Sequence, residues 1–467
     1  MNLDVAIVGN GAIGTLTAIK LKLDFPSWKI ALIGNTNRHN SASTAAGAMV
    51  AVFGEIECAT STSQSHVQER FFQIGLESSE KWRKFLLDSK GEHTISAQNT
   101  LLFLKKTASN FEQKNFESAT SVAMSHDRGS FLSTNIPASK VGFKKAELAE
   151  LFEIQNEFAL CTFALFKHLD DLRLNLGIED IPFDVSRIDL DSQTVFFKSI
   201  QPGMVIPPIS AKRIVLAAGA MTESLIPQSG ILQMFQGVGG AFLIDHSPLM
   251  ESLQDTVVRS VNRGGAQCGI HTVPRTDGKI YLGAGNFVTR PGNQSHRLDT
   301  LNYLLSTFES DLASREAIYQ FSGNLVLGMR PRSLDGLPMI GPLTINENIF
   351  VATACNRLGL TWSSLISESI SSYFRNSNFP DLFSGWSPDR DPISYGDLDA
   401  AIQYFSESRV GNAVEHGLID PSRESQSLKM NEFEKVGLRL LKEVNDSLGI
   451  TTDVIIHPDN WGAVLSS

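Results

Sequence analysis

The sequence predicts a mixed α/β (α+β) protein with a βαβ domain at its N-terminus, a second domain built on an antiparallel sheet, and a C-terminal helical extension. Three observations predict it. Residues 4–33 run strand, glycine turn, helix, strand. Residues 233–244, 256–260, 268–274 and 279–284 alternate apolar and polar side chains, and Thr276-Asp277-Gly278 between the last two is a hairpin turn signal. Residues 395–406 and 430–448 have amphipathic helical spacing and follow a linker rich in Pro, Ser, Gly and Asp.

Composition bounds the rest. The chain has 467 residues, 42% hydrophobic and 19% charged, the balance of a soluble protein with a core, which excludes disordered, collagen-like and membrane classes. Lys and Arg number 40 against 50 Asp and Glu, so nothing draws it to nucleic acid or anionic lipid. Cys58, Cys161, Cys268 and Cys355 form no CxxC pair, which fits neither a disulfide framework nor a zinc site and sets a reducing, cytoplasmic location as the expectation. Residues 1–8 lack a leader pattern, and the apolar stretches elsewhere, such as 214–220, are far shorter than the ~20 residues of a spanning helix. No metal-ligand spacing, Ser/His/Asp triad or carboxylate pair stands out. A homo-oligomer is left open.

The elements follow in order. The strand at 4–8 leads into Gly9-Asn10-Gly11-Ala12-Ile13-Gly14, then a helix to Leu23 and a strand at 29–33. Val67, Phe71, Phe72, Ile74, Leu76, Trp82 and Phe85 predict a long helix over 63–88. Residues 89–140 are polar and read as surface elements with one strand at 100–104. Residues 213–220 form a buried strand running into a glycine turn. A helix is expected at 297–313, then an apolar strand, a loop at 330–338, a strand at 349–353 and a helix at 360–374. In the extension, Phe433, Val436, Leu440, Leu441, Val444 and Leu448 have helical spacing and pack either on the body or on another subunit.

The strongest motif is GxGxxG between a strand and a helix. Gly9, Gly11 and Gly14 allow the tight turn and let the backbone reach a pyrophosphate at the helix N-terminus, a Rossmann-like arrangement. The acidic residue that holds an adenosine ribose belongs at the end of the second strand, where Gly34 and Asn35 stand instead. The Asn35 amide replaces one of the lost hydrogen bonds. The run Ser41-Ala42-Ser43-Thr44-Ala45-Ala46-Gly47-Ala48-Met49 then offers small side chains and hydroxyls to a second phosphate or a flavin edge.

With that run, the sequence resembles the D-amino-acid oxidase family of FAD enzymes, glycine oxidase-like members in particular. The resemblance continues through Phe53-Gly54-Glu55-Ile56-Glu57 and returns at 216–222, 327–331, 335–341 and 354–361, spanning about residues 1–375 in the family's order. It implies non-covalent FAD, held by Gly9, Gly11, Ala12, Ile13, Gly14, Gly34, Asn35, Ser43, Thr44, Ala45, Ala46, Gly47 and Met49 at the first motif. Val185 would contact adenine through its backbone, and Ala218, Gly219 and Met221 would close over the pyrophosphate. Arg330, Asn356, Arg357, Leu358, Gly359, Leu360 and Thr361 would line the flavin. Residues 1–88, 141–232 and 320–375 are expected to form the FAD-binding domain, 89–140 and 233–319 the substrate domain, and 376–467 the extension.

The resemblance also implies a substrate site. Arg330, in the family's Gly-x-Arg-Pro position, would pair with a carboxylate, which a planar guanidinium suits. Arg357 would assist it, bind an acidic substrate group, or serve only as support. His271 falls where related enzymes carry a substrate-side tyrosine; an imidazole there either hydrogen-bonds substrate and changes charge near neutral pH, or is structural. Asn286 would face the same pocket and make it more polar than one built for glycine or alanine. Cys355 is read as a small buried thiol.

The function implied is oxidation of the C–N bond of an amino acid or amine to an imine by hydride transfer to flavin N5, with reoxidation by oxygen. The alternatives are a dehydrogenase subunit passing electrons to a carrier and a non-catalytic flavin-binding subunit.

Overall fold

Val5–Val8 is apolar at every position and buried throughout, the pattern of an inner parallel strand. In the computed structural model, which describes residues 2–133, 148–199, 205–245, 255–264, 269–295, 297–307, 309–310, 322–450 and 454–466, it lies inside a six-stranded sheet. The order is Met339–Leu343, Asn346–Thr353, Ile214–Leu216, Val5–Val8, Ile30–Ile33, Glu179–Ile181, with every pair parallel except the first. Alternation along the central strand divides the core. Val5 and Ile7 join Leu16, Trp82, Trp362 and Ile366 beneath the helices Ala12–Asp24, Thr62–Asp88 and Gly359–Asn376. Ala6 and Val8 face Val185, Ile188 and Val195 of a small four-stranded sheet on the other side.

A nine-stranded sheet forms the second unit. It runs Ser322–Ser333, Met234–Asp245, Lys279–Thr289, His271–Pro274, Thr256–Arg259, Ile95–Lys105, Leu148–Leu160, Met49–Val50, with Gly129–Phe131 beside Leu148–Leu160. It is antiparallel except where Thr256–Arg259 meets Ile95–Lys105. The strand Leu148–Leu160, from the segment assigned by sequence to the FAD-binding part, pairs here along Ile95–Lys105.

Three expectations change. The described part of 89–140, residues 89–133, is not mainly surface: the helix Asn110–Ser125 buries Phe111, Phe116, Ala119 and Ala123, and the last three pack with Phe72, Leu102 and Phe152. Only Phe111 and Phe116 of that buried face are large and apolar; Glu112, Asn115 and Thr120 are buried beside the two alanines, so polar residues dominate the composition. Arg330 to Ser333 are strand, not loop, because Ser322–Ser333 pairs without interruption along Met234–Asp245. The helix expected at 297–313 is Leu298–Thr307; residues 308 and 311–313 lie outside the described residues.

The extension forms Leu398–Glu415, Arg423–Leu448 and Trp461–Leu465. Phe405, Leu441, Val444 and Trp461 share a core with Phe111, Phe235 and Leu334, so it packs on the body. Buried Asp335 takes two bonds from Arg390, and Asn460 donates to the carbonyls of Ser333 and Leu334. No helix among the described residues is long and apolar enough to cross a membrane.

Candidate active site

The glycine turn is shaped by close backbone packing. A Cβ on Gly9, whose φ is +109°, would lie 2.2 Å from the Ala217 carbonyl oxygen, and one on Gly14 would lie 1.8 Å from that of Gly9. Gly11 caps Ala12–Asp24 with extended backbone, no side-chain cap and no acidic residue in the first turn, so that end of the helix favours an anion. Ser43 Oγ accepts the Ala12 N–H at 3.0 Å, bringing the small-residue run against the turn. A cleft of about 780 Å³ opens here, within the ~300–1,000 Å³ usual for ligand sites.

Along the cleft lie Gly9, Gly11, Ala12, Ile13, Gly34, Asn35, Ser43, Ala45, Ala46, Gly47, Met49, Val185, Ala218, Gly219 and Met221. Gly14 and Thr44 stand behind its wall. Gly14 packs on Gly9, and Thr44 Oγ1 donates to the carbonyls of Arg38 and Ser41. Asn35 Oδ1 accepts the Asn37 N–H at 3.3 Å, and Asn10 Nδ2 donates to the Asn35 carbonyl. The loop after the second strand is held by Arg38, which the sequence reading missed. Its guanidinium makes a two-point contact with Asp170 at 2.9 and 2.6 Å, and its Nε donates to the Asn10 carbonyl.

At the far end of the cleft the helix Gly359–Asn376 begins. Its N-cap is Leu358, without a side-chain cap, and Asn356, Arg357, Leu358, Gly359, Leu360 and Thr361 all reach the cleft. The Asn356 N–H donates to the Pro331 carbonyl, and Thr361 Oγ1 donates to that of Met49. Cys355 is a buried thiol that burial pushes up to about 12, so it stays protonated. That suits the small-thiol reading.

Arg330 faces this end of the cleft from Ser322–Ser333. Its guanidinium lies across Gly239, where a Cβ would come within 2.6 Å of Nη2. Gly237 is equally close to the Asn286 Oδ1, also 2.6 Å from where its Cβ would be. Glycine at alternate positions of one strand therefore leaves room for two polar side chains from its neighbours. That alternation was the available sequence signal.

His271 is buried and stacked on Tyr281, with ring centroids 5.5 Å apart and planes 14° from parallel. Burial, together with the positive charges of Arg259 and Arg330, pulls it down to about 3 against the opposing effect of Glu55. The expected change of charge near neutral pH is corrected: the imidazole is neutral there, and its Nδ1 has no hydrogen-bond partner. Asn286 is also corrected. It lines an adjoining cavity rather than the main cleft.

Arg357 reaches the cleft but is engaged by carboxylates, with Nη2 2.6 Å from Glu57 Oε1 and Nε 3.3 Å from Glu55 Oε2. Glu55 also accepts from buried Arg259 at 2.7 Å. Burial raises the Glu55 carboxyl, but Arg259 and Arg357 outweigh it and hold the group at about 2. Behind this, Glu157 Oε1 accepts the N–H groups of Val52, Phe53 and Gly54 and fixes the segment that carries Glu55. Arg259 and Glu157 were missed, and Glu55 and Glu57 stood in a matching block without a role, because their partners are far away in sequence.

The family model described as "DAO: FAD dependent oxidoreductase" matches residues 4–372. Among solved structures, glycine oxidase from Geobacillus kaustophilus superposes with a TM-score of 0.68 at 19% identity, covering 84% of this chain and 99% of that one. L-proline dehydrogenase from P. horikoshii gives 0.63 at 12% identity, covering 83% and 97%. L-α-glycerophosphate oxidase from Mycoplasma pneumoniae, with FAD bound, gives 0.62 at 16% identity, covering 84% and 98%. No curated protein matches the chain by sequence.

Proposed function

The chain belongs to the DAO family of FAD-dependent oxidoreductases, and from that premise we propose that it oxidises the C–N bond of an amino acid or related amine to an imine. The observation that carries this reading is one cleft joining three features: the glycine turn, the uncapped start of Gly359–Asn376, and Arg330.

The residues present fit FAD. Gly9, Gly11 and Ser43 offer the turn and helix end for the pyrophosphate, with Ala218, Gly219 and Met221 beside it and Val185 toward adenine. Ala45, Ala46, Gly47, Met49 and residues 356–361 offer small side chains and N–H groups for the ring. When bound, the flavin supplies the hydride acceptor of the reaction.

The chain's own residues do the rest. Arg330 pairs with the substrate carboxylate and orients the α-carbon. Neutral His271 hydrogen-bonds without adding charge. The N-terminal dipole of Gly359–Asn376 favours negative charge at the cleft's inner end. Arg357, held by Glu55 and Glu57, supports the wall rather than anchoring the carboxylate. Oxygen or an electron carrier takes up the electrons, and the unpaired Cys58, Cys161 and Cys355 support a reducing, cytoplasmic location.

The test is the visible spectrum of the purified holoenzyme before and after anaerobic addition of glycine, sarcosine and D- and L-amino acids. Bleaching by one of them is the expected result. Oxygen consumption against turnover with an artificial acceptor then separates oxidase from dehydrogenase. A flavin that no member bleaches would refute amino-acid oxidation.

A further inference from the structure

Three arginines line the substrate end of the cleft: Arg259, Arg330 and Arg357. Arg259 is closed off in its pair with Glu55, its side chain 2% exposed, whereas 21% of the Arg357 side chain is open. A second carboxylate on a substrate would therefore turn to Arg357, and that position is already taken. Its Nη2 lies 2.6 Å from Glu57 Oε1 and its Nε 3.3 Å from Glu55 Oε2. Glu57 is anchored independently, because the Asn262 amide donates to the same Oε1 at 2.8 Å. Glu55, held at about 2, is ionised at neutral pH. Across the adjoining cavity, Arg332 and Asp459 pair with each other at 3.3 Å. A second substrate carboxylate would meet a guanidinium already neutralised and two carboxylates beside it, and like charges placed together cost binding.

We propose that Glu57 is a specificity-determining residue: by holding Arg357 it withholds that arginine from the substrate, so the chain selects amino acids with one carboxylate over those with a second in the side chain. The inference rests on the amino-acid reading above and narrows it. Glu57 lines the adjoining cavity rather than the cleft, so it acts through Arg357. Its effect is one of charge. It shows in the comparison of an acid with its own amide, which share length and shape, whereas a loss of packing would slow both alike.

The experiment uses the FAD-loaded full-length protein with aspartate against asparagine and glutamate against glutamine, in both enantiomers. The amide is expected to lead in kcat/KM by about 10-fold or more. Glu57→Gln keeps the shape and removes the negative charge, and should move the acid-to-amide ratio toward the acid by about 10-fold; adding Arg357→Gln should cancel that gain. Flavin content equal to the parent's marks the variants as folded. A parent that takes acid and amide equally or prefers the acid, a ratio unmoved by Glu57→Gln, or a gain that survives the loss of Arg357 would overturn the proposal. If no member is oxidised, perturbation of the flavin spectrum on titration with the same pairs decides it. Amide-selective binding that Glu57→Gln relaxes would support the role of Glu57 while the oxidation reading falls, and binding without selectivity, or no binding, would overturn the role of Glu57 as well.

Discussion

At the glycine-turn end of the cleft the facing groups are mostly main chain: the turn at Gly9 to Gly14 and the N–H groups opening Ala12–Asp24. At the substrate end they are buried and half-buried side chains, with Arg259, Glu55, Arg357 and Glu57 in one ionic chain and His271 and Arg330 beside it. The first end is specified by residues a few places apart. The second is assembled from pairs 204 and 300 positions apart. A backbone site tolerates changes of side chain but not an added Cβ, whereas a side-chain site is broken by changing the side chains themselves.

The most severe way to probe this contrast is Gly14→Val. Its Cβ would meet the Gly9 carbonyl, which cannot retreat because Gly9 itself packs on Ala217. The variant should purify without visible flavin absorbance, and stoichiometric FAD in it would break the backbone account of that end. Next in size is Arg330→Ala. Removing one partner of a charge-assisted contact to the bound substrate costs about 2–5 kcal/mol, or roughly 30- to 5,000-fold in kcat/KM. Flavin content should stay as in the parent, which separates the two ends; unchanged kinetics would remove Arg330 from the site.

Arg259→Met sharpens the comparison from the other side. It leaves Glu55 buried with Arg357 alone and withdraws a positive charge from near Glu157. Breaking a buried pair in this way costs roughly 3–5 kcal/mol, read as a lower denaturation midpoint. Because Arg259 reaches no phosphate-binding group, the folded fraction should retain its flavin. Loss of flavin in step with stability would mean the two ends are one cooperative unit.

What could be read in the sequence follows the same division. The βαβ unit, the helix Thr62–Asp88, the Thr276-Asp277-Gly278 hairpin and the glycine turn at 219 are local patterns, and each was legible. The helix Asn110–Ser125 was not, because its buried face holds Glu112, Asn115, Thr120 and two alanines and only two large apolar side chains, Phe111 and Phe116. Leu148–Leu160 was not, because its glutamates interrupt the apolar alternation and Glu157 turns inward to bind three backbone N–H groups. Arg330 could be singled out as a residue beside proline in a motif. That Arg357 is tied to Glu55 and Glu57 could not, since no pattern links positions 55 and 357.

The smallest effect tests whether the substrate end is as dry as its geometry implies. Native His271 takes a proton only near pH 3, whereas the unfolded chain takes it near the ordinary 6.5, so the unfolded state binds more protons between those values. Stability should therefore fall as pH drops from 6.5 toward 3. Glu55, held at about 2 against an ordinary 4.5, adds stability above pH 4.5 that is lost as pH falls toward 2. Both groups weaken the fold in acid, but only His271 acts between 6.5 and 4.5. In that window His271→Asn should flatten the stability profile relative to the parent by up to about 1.4 kcal/mol per pH unit. The kcat/KM profile near neutrality should keep the same inflections in both proteins, since His271 does not titrate there. An inflection near 6.5 that disappears in the variant would mean that His271 charges in the native state and that water reaches the stack on Tyr281.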